Sequence, residues 1–174
     1  PYEITPDSFT FAGVDFRINK DDKTATVARG QKIAVDKDAS KLVLLCNSTD
    51  GDKKVKFKVG NRNIEKTVPD AFERPARWDM YDFKETARIK KCKVAYEFTH
   101  CHRNFRDATA KSMYFFAVEI DLNGETEITL PKDKDIVILA ATQVKGTSGG
   151  LATPLCEEVE ERKFRFRMTH KEKR

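Results

Sequence analysis

Five residues carry side chains that could bind a sugar, because aromatic faces stack on pyranose rings while polar groups bind the hydroxyls. These residues are Trp78, Tyr81, His100, His102 and Tyr114. Packing within a core, or against another domain, explains the same aromatic residues. The set therefore leaves two interpretations open, a glycan-binding surface and structural packing.

His100 and His102 stand two positions apart at the end of an extended segment, residues 93–99. Side chains at i and i+2 of a strand point to the same face, so the pair could supply two ligands to a metal ion. A hydrogen-bonded corner of the fold explains the pair as well. Since His170 is the one other histidine and lies near the C-terminal end, we predict no metal site.

Two further groups of potential ligands are better explained by structure. Asp50 and Asp52 flank Gly51 and could hold calcium, but they lack the spaced series of oxygens that a calcium loop needs, so a turn is predicted. The cysteines match no zinc-binding spacing, and Cys46, inside an apolar run, is predicted to be a small buried hydrophobe. No cofactor is expected for this chain. The four cysteines are Cys46, Cys92, Cys101 and Cys156.

The sequence contains no catalytic motif, neither a glycine-rich phosphate loop, nor His-Glu-x-x-His, nor Gly-x-Ser-x-Gly. Paired carboxylates could still meet in space and cleave a glycoside. The 28 acidic residues, however, are scattered and give no reason to choose two. The chain by itself is therefore predicted to be non-catalytic, and we assign no catalytic residue.

Short alternating segments must position these residues. Residues 53–59 alternate between lysine and apolar side chains, which predicts a strand with one solvent-exposed face. Residues 42–46 and 136–141 are apolar throughout, which predicts central strands covered on both faces. Apolar residues also recur over residues 9–18, where Gly13 is expected to form a bulge or a bend.

Two dipeptides, Asp50-Gly51 and Asn123-Gly124, favour tight hairpin turns, because Gly accepts positive φ. They predict one hairpin that joins residues 42–48 to 53–59 and another that joins residues 112–122 to 125–130. Many short strands with little helical periodicity indicate an all-β fold. We predict a two-layer antiparallel β-sandwich that resembles a jelly roll.

Two stretches interrupt the alternating pattern. Residues 69–91 are rich in aromatic side chains without clean alternation and are predicted to form a long loop that crosses the sandwich. Residues 145–154 are rich in Gly, Ser and Thr and predict a flexible linker. The predicted organisation is a sandwich domain over residues 1–144, the linker, and a basic C-terminal segment, residues 155–174, that adds a last strand to the sandwich.

The net charge of +5 does not indicate nucleic-acid binding. Residues 161–174 contain seven basic and two acidic residues, so the rest of the chain is neutral. A basic tail without a recognition motif is not the footprint of a nucleic-acid-binding surface. The longest strongly apolar run, residues 136–141, is far shorter than the ~18 residues of a membrane-spanning helix. Neither nucleic acid nor membrane is an expected partner, and the compartment stays undecided.

The order of several segments resembles the C-terminal β-sandwich region of bacterial α-mannosidase-like proteins of glycoside hydrolase family 38. The resemblance extends over about residues 9–144 and depends on the order and spacing of the segments together. The segments are residues 29–33, 41–45, 50–60, 77–79, 94–96, 99–102, 114–116 and 130–140.

This resemblance implies a non-catalytic accessory domain that packs on the catalytic region of an α-mannosidase-like glycoside hydrolase and acts in carbohydrate metabolism. Its partner would be the catalytic domain of the same polypeptide, which would hold the catalytic acids and the zinc. The alternative is a carbohydrate-binding module that contacts α-mannoside glycans through the aromatic and histidine surface. Pro1 is not Met, which fits either an excised piece of a longer protein or a chain whose Met has been removed.

Overall fold

The computed structural model describes residues 6–20, 24–81, 84–103, 106–108, 111–146 and 162–165. For residues 77–81, 84–88, 101–103, 106–108 and 162–165 it describes the backbone alone. Within these ranges all regular secondary structure is β-strand. The strands are β1 (Ser8–Phe11), β2 (Val14–Arg17), β3 (Thr26–Arg29), β4 (Lys32–Ala34), β5 (Ala39–Ser48), β6 (Lys53–Val59), β7 (Arg62–Val68), β8 (Ala76–Tyr81), β9 (Lys84–Ile89), β10 (Val94–Phe98), β11 (Cys101–Arg103), β12 (Arg106–Ala108), β13 (Met113–Asp121), β14 (Glu127–Thr129), β15 (Lys132–Lys145) and β16 (Arg162–Arg165).

Two antiparallel sheets enclose the main core. One has the strand order β10-β13-β5-β15-β3 and the other the order β4-β14-β6-β7. Apolar side chains from both sheets, among them Leu44, Phe57, Ile120 and Ile136, are buried in one cluster. Removing this surface from water is the main force that holds the sheets together. The prediction of an all-β sandwich is confirmed.

Central strand β5 is covered on both faces, as its apolar run predicted. In β15 the prediction holds only in part, because Ile136 and Ile138 are buried, Leu139 is half-buried and Ala141 is exposed. Leu42 and Leu44 of β5 point into the core between the sheets. Val43 and Leu45 point the other way, into a second core on the outer face of the five-stranded sheet. The five-stranded sheet is therefore the middle layer of the molecule.

Hairpin β1–β2 covers this second core. Phe16 is completely buried, and the centroid of its ring lies 5.5 Å from that of Phe9. The expected bulge or bend at Gly13 is a hairpin turn, in which Phe11 pairs with Val14 and both Ala12 (φ 49°) and Gly13 (φ 80°) have positive φ. Two positive φ angles match the twist of paired strands. The hairpin adds a third layer that the sequence did not indicate.

The two predicted hairpins are wrong, although their turns are real. Gly51 has a φ of 71° and Gly124 a φ of 82°. However, β5 pairs with β13 and β15, whereas β6 pairs with β7 and β14. Likewise β13 lies in the five-stranded sheet and β14 in the four-stranded sheet. Both turns therefore carry the chain from one sheet to the other.

The stretch predicted as a long crossing loop, residues 69–91, contains a hairpin. β8 and β9 pair from Ala76, opposite Ile89, to Tyr81, opposite Lys84. β16 pairs with β9, and we call these three strands the arm. The predicted last strand thus joins the arm over residues 162–165, while the predicted linker lies outside the described residues except for residues 145 and 146. The domain boundary at residue 144 stays a prediction.

No helix long and apolar enough to cross a membrane occurs in the part of the chain that the structure describes.

Candidate functional site

The residues of the predicted glycan surface are only partly described. Trp78 and Tyr81 lie in β8 and His102 lies in β11, but the side chains of all three fall outside the described residues. His100 is half-buried, and its Nδ1 lies 3.4 Å from Oγ1 of Thr99. Among the side chains that are described, no three His, Cys, Asp or Glu residues form a group that could hold a metal ion.

Tyr114 lies inside the sandwich. It is 8% exposed, and the centroid of its ring is 6.4 Å from that of Phe116. Its backbone N–H donates to the carbonyl oxygen of Ala71 at 2.7 Å, and its own carbonyl accepts from Nδ2 of Asn47 at 2.9 Å. A sugar at the surface cannot stack on a ring buried in this way. The structure therefore separates Tyr114 from the surface that was predicted to include it.

The turn predicted at Asp52 fastens the base of the arm. Oδ1 of Asp52 accepts from the backbone N–H of Asp70 at 2.8 Å and from Nζ of Lys90 at 2.7 Å. Lys90 also pairs with Glu73, and its backbone N–H donates to the carbonyl of Pro75. Burial would lower the pKa of Lys90, but its hydrogen bonds with Asp52 and Glu73 outweigh burial and raise the pKa. We call this group the Lys90 clamp, since it joins both ends of hairpin β8–β9 to the body.

An open cleft of about 550 Å³ lies where β7, the edge strand of the four-stranded sheet, faces the C-terminal half of β13. Residues of both strands line it, together with long charged side chains. We call it the lysine cleft, and its charged residues are Lys41, Lys66, Lys91, Lys93, Glu119 and Asp121.

Glu119 is the centre of the charge network in the lysine cleft. Its Oε2 lies 3.0 Å from Nζ of Lys41 and its Oε1 lies 2.7 Å from Nζ of Lys93. The three side chains are between 15% and 21% exposed. Burial would raise the pKa of Glu119, but hydrogen bonds from Lys93 and Lys41 outweigh burial and lower the pKa below its usual value. Glu119 is therefore ionised and holds both ammonium groups in place.

β13 presents an open edge to the cleft. β10 pairs with β13 only as far as Phe116, and the N–H of Ala117 then donates to the carbonyl of Lys93 at 2.8 Å. Beyond that point, on the side away from β5, no strand in the described ranges pairs with residues 118–121. An unpaired strand edge is a place where a further strand can add.

Sequence reasoning missed this cleft, although one sign of it was visible. Glu119 is the one charged residue in the apolar run of residues 113–120, and a charge in such a strand must find partners. Lys41 and Lys93 stand 78 and 26 positions away from Glu119. Their identity depends on strand pairing, which the alternation of residue types does not reveal.

A family model described as an AziU2-like beta-sandwich domain matches residues 1–147. No curated protein matches the chain. The family match overturns the resemblance to glycoside hydrolase family 38. Three of the segments that suggested it have a structural role, because Gly30 and Gly51 lie at positive φ and residues 42–45 are buried core.

Proposed function

We propose that this chain, which belongs to the family of AziU2-like β-sandwich domains, is a non-catalytic accessory domain that binds an acidic segment of a partner polypeptide. The observation that carries the proposal is the positive charge of the lysine cleft, where the four lysines outnumber the two acidic residues, Glu119 and Asp121. Complementary charge of this kind attracts a partner and excludes others. The link to an α-mannosidase-like enzyme depended on the overturned resemblance, so the partner is defined here by its charge.

The geometry of the lysines supports binding of carboxylates. Lys41 and Lys93 are held by Glu119, so little side-chain freedom is lost when a ligand meets them. An ammonium group has three N–H donors, so Lys41 can donate to a ligand while it remains bonded to Glu119. Lys66 is half-buried opposite Val55, on the inward face of β7. The cleft therefore presents ammonium groups from both sheets to one ligand.

A fluorescence anisotropy titration tests the proposal. The probe is a fluorescein-labelled peptide of about eight residues in which Glu and Val alternate, and the same peptide with Lys in place of Glu is the control probe. We expect saturable binding of the acidic peptide that weakens as salt is added, because salt screens exposed charges. No binding of the acidic peptide, or equal binding of both peptides, would contradict the proposal.

Paired variants locate the binding. Replacing Lys66 and Lys91 by Gln should lower the affinity for the acidic peptide about tenfold, since each lost charge contact contributes roughly 0.5–1 kcal/mol. Lys54 and Lys56 are exposed on the outer face of β6, and their replacement by Gln changes the net charge equally. The affinity of this control variant for the acidic peptide should stay within about twofold of that of the parent chain. Equal losses in both variants would show attraction to the whole surface rather than to the cleft.

Glycan binding through Trp78, Tyr81, His100 and His102 stays a prediction with its own test. Trp78 is the one tryptophan of the chain, so its fluorescence can be followed while mannose, α-linked manno-oligosaccharides and glucose are titrated. A saturable change with mannosides alone would support a carbohydrate-binding module.

A further inference from the structure

We infer, on the basis of the proposed function, that the acidic segment binds as an added β-strand along the open edge of β13, in line with β10. The partner is thus an extended segment with acidic side chains that pairs through its backbone. A compact acidic surface would meet the same lysines without these main-chain hydrogen bonds.

The backbone of β13 determines which groups are offered at this edge. The N–H of Leu122 donates to Ser40, on the β5 side, whereas the N–H of Ala117 donates to Lys93, on the opposite side. In an antiparallel sheet the N–H and C=O groups of one residue point to the same side of the strand, and those of the next residue point to the opposite side. Glu119 and Asp121, two and four positions beyond Ala117, therefore direct their backbone groups to the open edge.

The charges around this edge select an acidic strand. Glu119 lies opposite Val43, which faces the second core, so Lys41 and Lys93 meet it on the outer face of the sheet. Lys66, on β7, approaches from the inner face. An added strand between them would find ammonium groups on both of its faces. Acidic side chains on either face thus gain a counter-charge.

The same charges disfavour a second copy of this chain as the occupant. Two copies paired edge to edge would bring the lysines of one cleft against those of the other, and lysines on strand edges are a common means of preventing such self-association. A partner of opposite charge removes the repulsion. The cleft is therefore suited to a different polypeptide.

Methylated peptides test strand addition separately from charge attraction. Three versions of the Glu–Val probe carry N-methyl groups, the first on every backbone amide, the second on all Glu amides and the third on all Val amides, so that all three keep the charge of the parent peptide. In an added strand only one alternate set of amides donates to β13. Because the peptide can turn either edge to β13, we expect the fully methylated peptide to lose at least about tenfold in affinity for the full chain, and at least one of the half-methylated peptides to bind within about threefold of the parent peptide.

Each outcome has a distinct meaning. If the fully methylated peptide binds within about threefold of the parent, or if all three methylated peptides lose affinity equally, strand addition is overturned, and the proposed charge attraction still stands provided that the parent peptide binds. No binding of the parent peptide overturns the proposed function and this inference together. A dimer in sedimentation that dissociates when Lys66 and Lys91 are replaced by Gln would make a second copy the occupant and also overturn the inference.

Discussion

Glu119 stabilises the edge of the sandwich and also limits the charge of the lysine cleft. Without it, the half-buried Lys41 and Lys93 would lose the carboxylate that they share, and Lys41 would keep the longer contact with Asp121 at 3.9 Å. Burial disfavours the charged form of a lysine. With Glu119, the three side chains form one hydrogen-bonded group of net charge +1. The carboxylate thus fixes the two ammonium groups and at the same time weakens their attraction for other anions.

Replacing Glu119 by Gln should separate these two effects. The variant keeps the shape of the side chain but loses the charge, and we expect it to lose about 1–3 kcal/mol of unfolding free energy near neutral pH. The same change should strengthen binding of the acidic peptide, because the cleft becomes more positive. Urea unfolding and peptide anisotropy measure the two quantities. Weaker peptide binding by a folded variant would contradict this role.

The difference in unfolding free energy between the parent chain and Glu119→Gln should also depend on pH. The folded pKa of Glu119 is lowered from its ordinary value of 4.5. A lowered carboxylate pKa stabilises the fold fully above the unfolded value, and this contribution is lost as the pH falls through the folded pKa. The gap between the parent chain and Glu119→Gln should therefore narrow below about pH 4. A gap that is constant down to acidic pH would mean that the charge of Glu119 is not involved.

Among the elements, residue patterns predicted the strands better than the pairs that they form. The lysine and apolar alternation of β6 gave its exposed and buried faces correctly, because each side chain reports its own environment. The turns at Gly51 and Gly124 were also correct in backbone conformation. A turn of given φ, however, can return a strand to its own sheet or carry it to the opposite one. Which of these occurs depends on packing between residues distant in sequence.

The arm is an element whose attachment can be tested. Lys90→Met keeps the apolar stem of the side chain and removes the charge that joins Asp52 and Glu73. We expect amide exchange over β8 and β9 to rise by about tenfold while exchange in β5 is unchanged, since local opening does not require global unfolding. Hydrogen exchange read by mass spectrometry resolves these strands.

An exposed ion pair supplies the control for this experiment. Lys32 pairs with Glu127 at 2.9 Å, but its side chain is 67% exposed, and exposed pairs contribute little. Lys32→Met should leave exchange in the arm unaltered. If Lys90→Met behaved in the same way, the clamp would not hold the arm to the body.

For the molecule as a whole, Cys46 reports on the integrity of the sandwich. It lies in β5 between Phe116 of β13 and Ile138 of β15, and it is completely buried. Burial raises the pKa of its thiol to about 12, and the thiolate is the reactive form. No reagent can reach this sulfur unless the middle sheet separates from its neighbours.

The alkylation rates of Cys46 and Cys92 should therefore differ. Iodoacetamide should label the half-buried Cys92 in the native chain, whereas Cys46 should react only as fast as the whole sandwich opens, and its rate should rise with urea in parallel with global unfolding. Peptide mapping by mass spectrometry distinguishes the sites. Labelling of Cys46 at the rate of Cys92 without urea would show a local route into the middle sheet.

The turns that carry the chain from one sheet to the other also affect how fast the chain folds. Because they form no hairpins, the neighbouring strands of the middle sheet come from distant parts of the chain, and Ser40 bonds to Val144 across 104 positions. Closing such a loop costs entropy before any contact compensates for it, so all-β chains of this kind fold over milliseconds to seconds. Until β13 and β15 pair with it, the apolar strand β5 lacks its native neighbours. The danger of aggregation is therefore greatest while the protein is being made, and it falls when the sandwich closes.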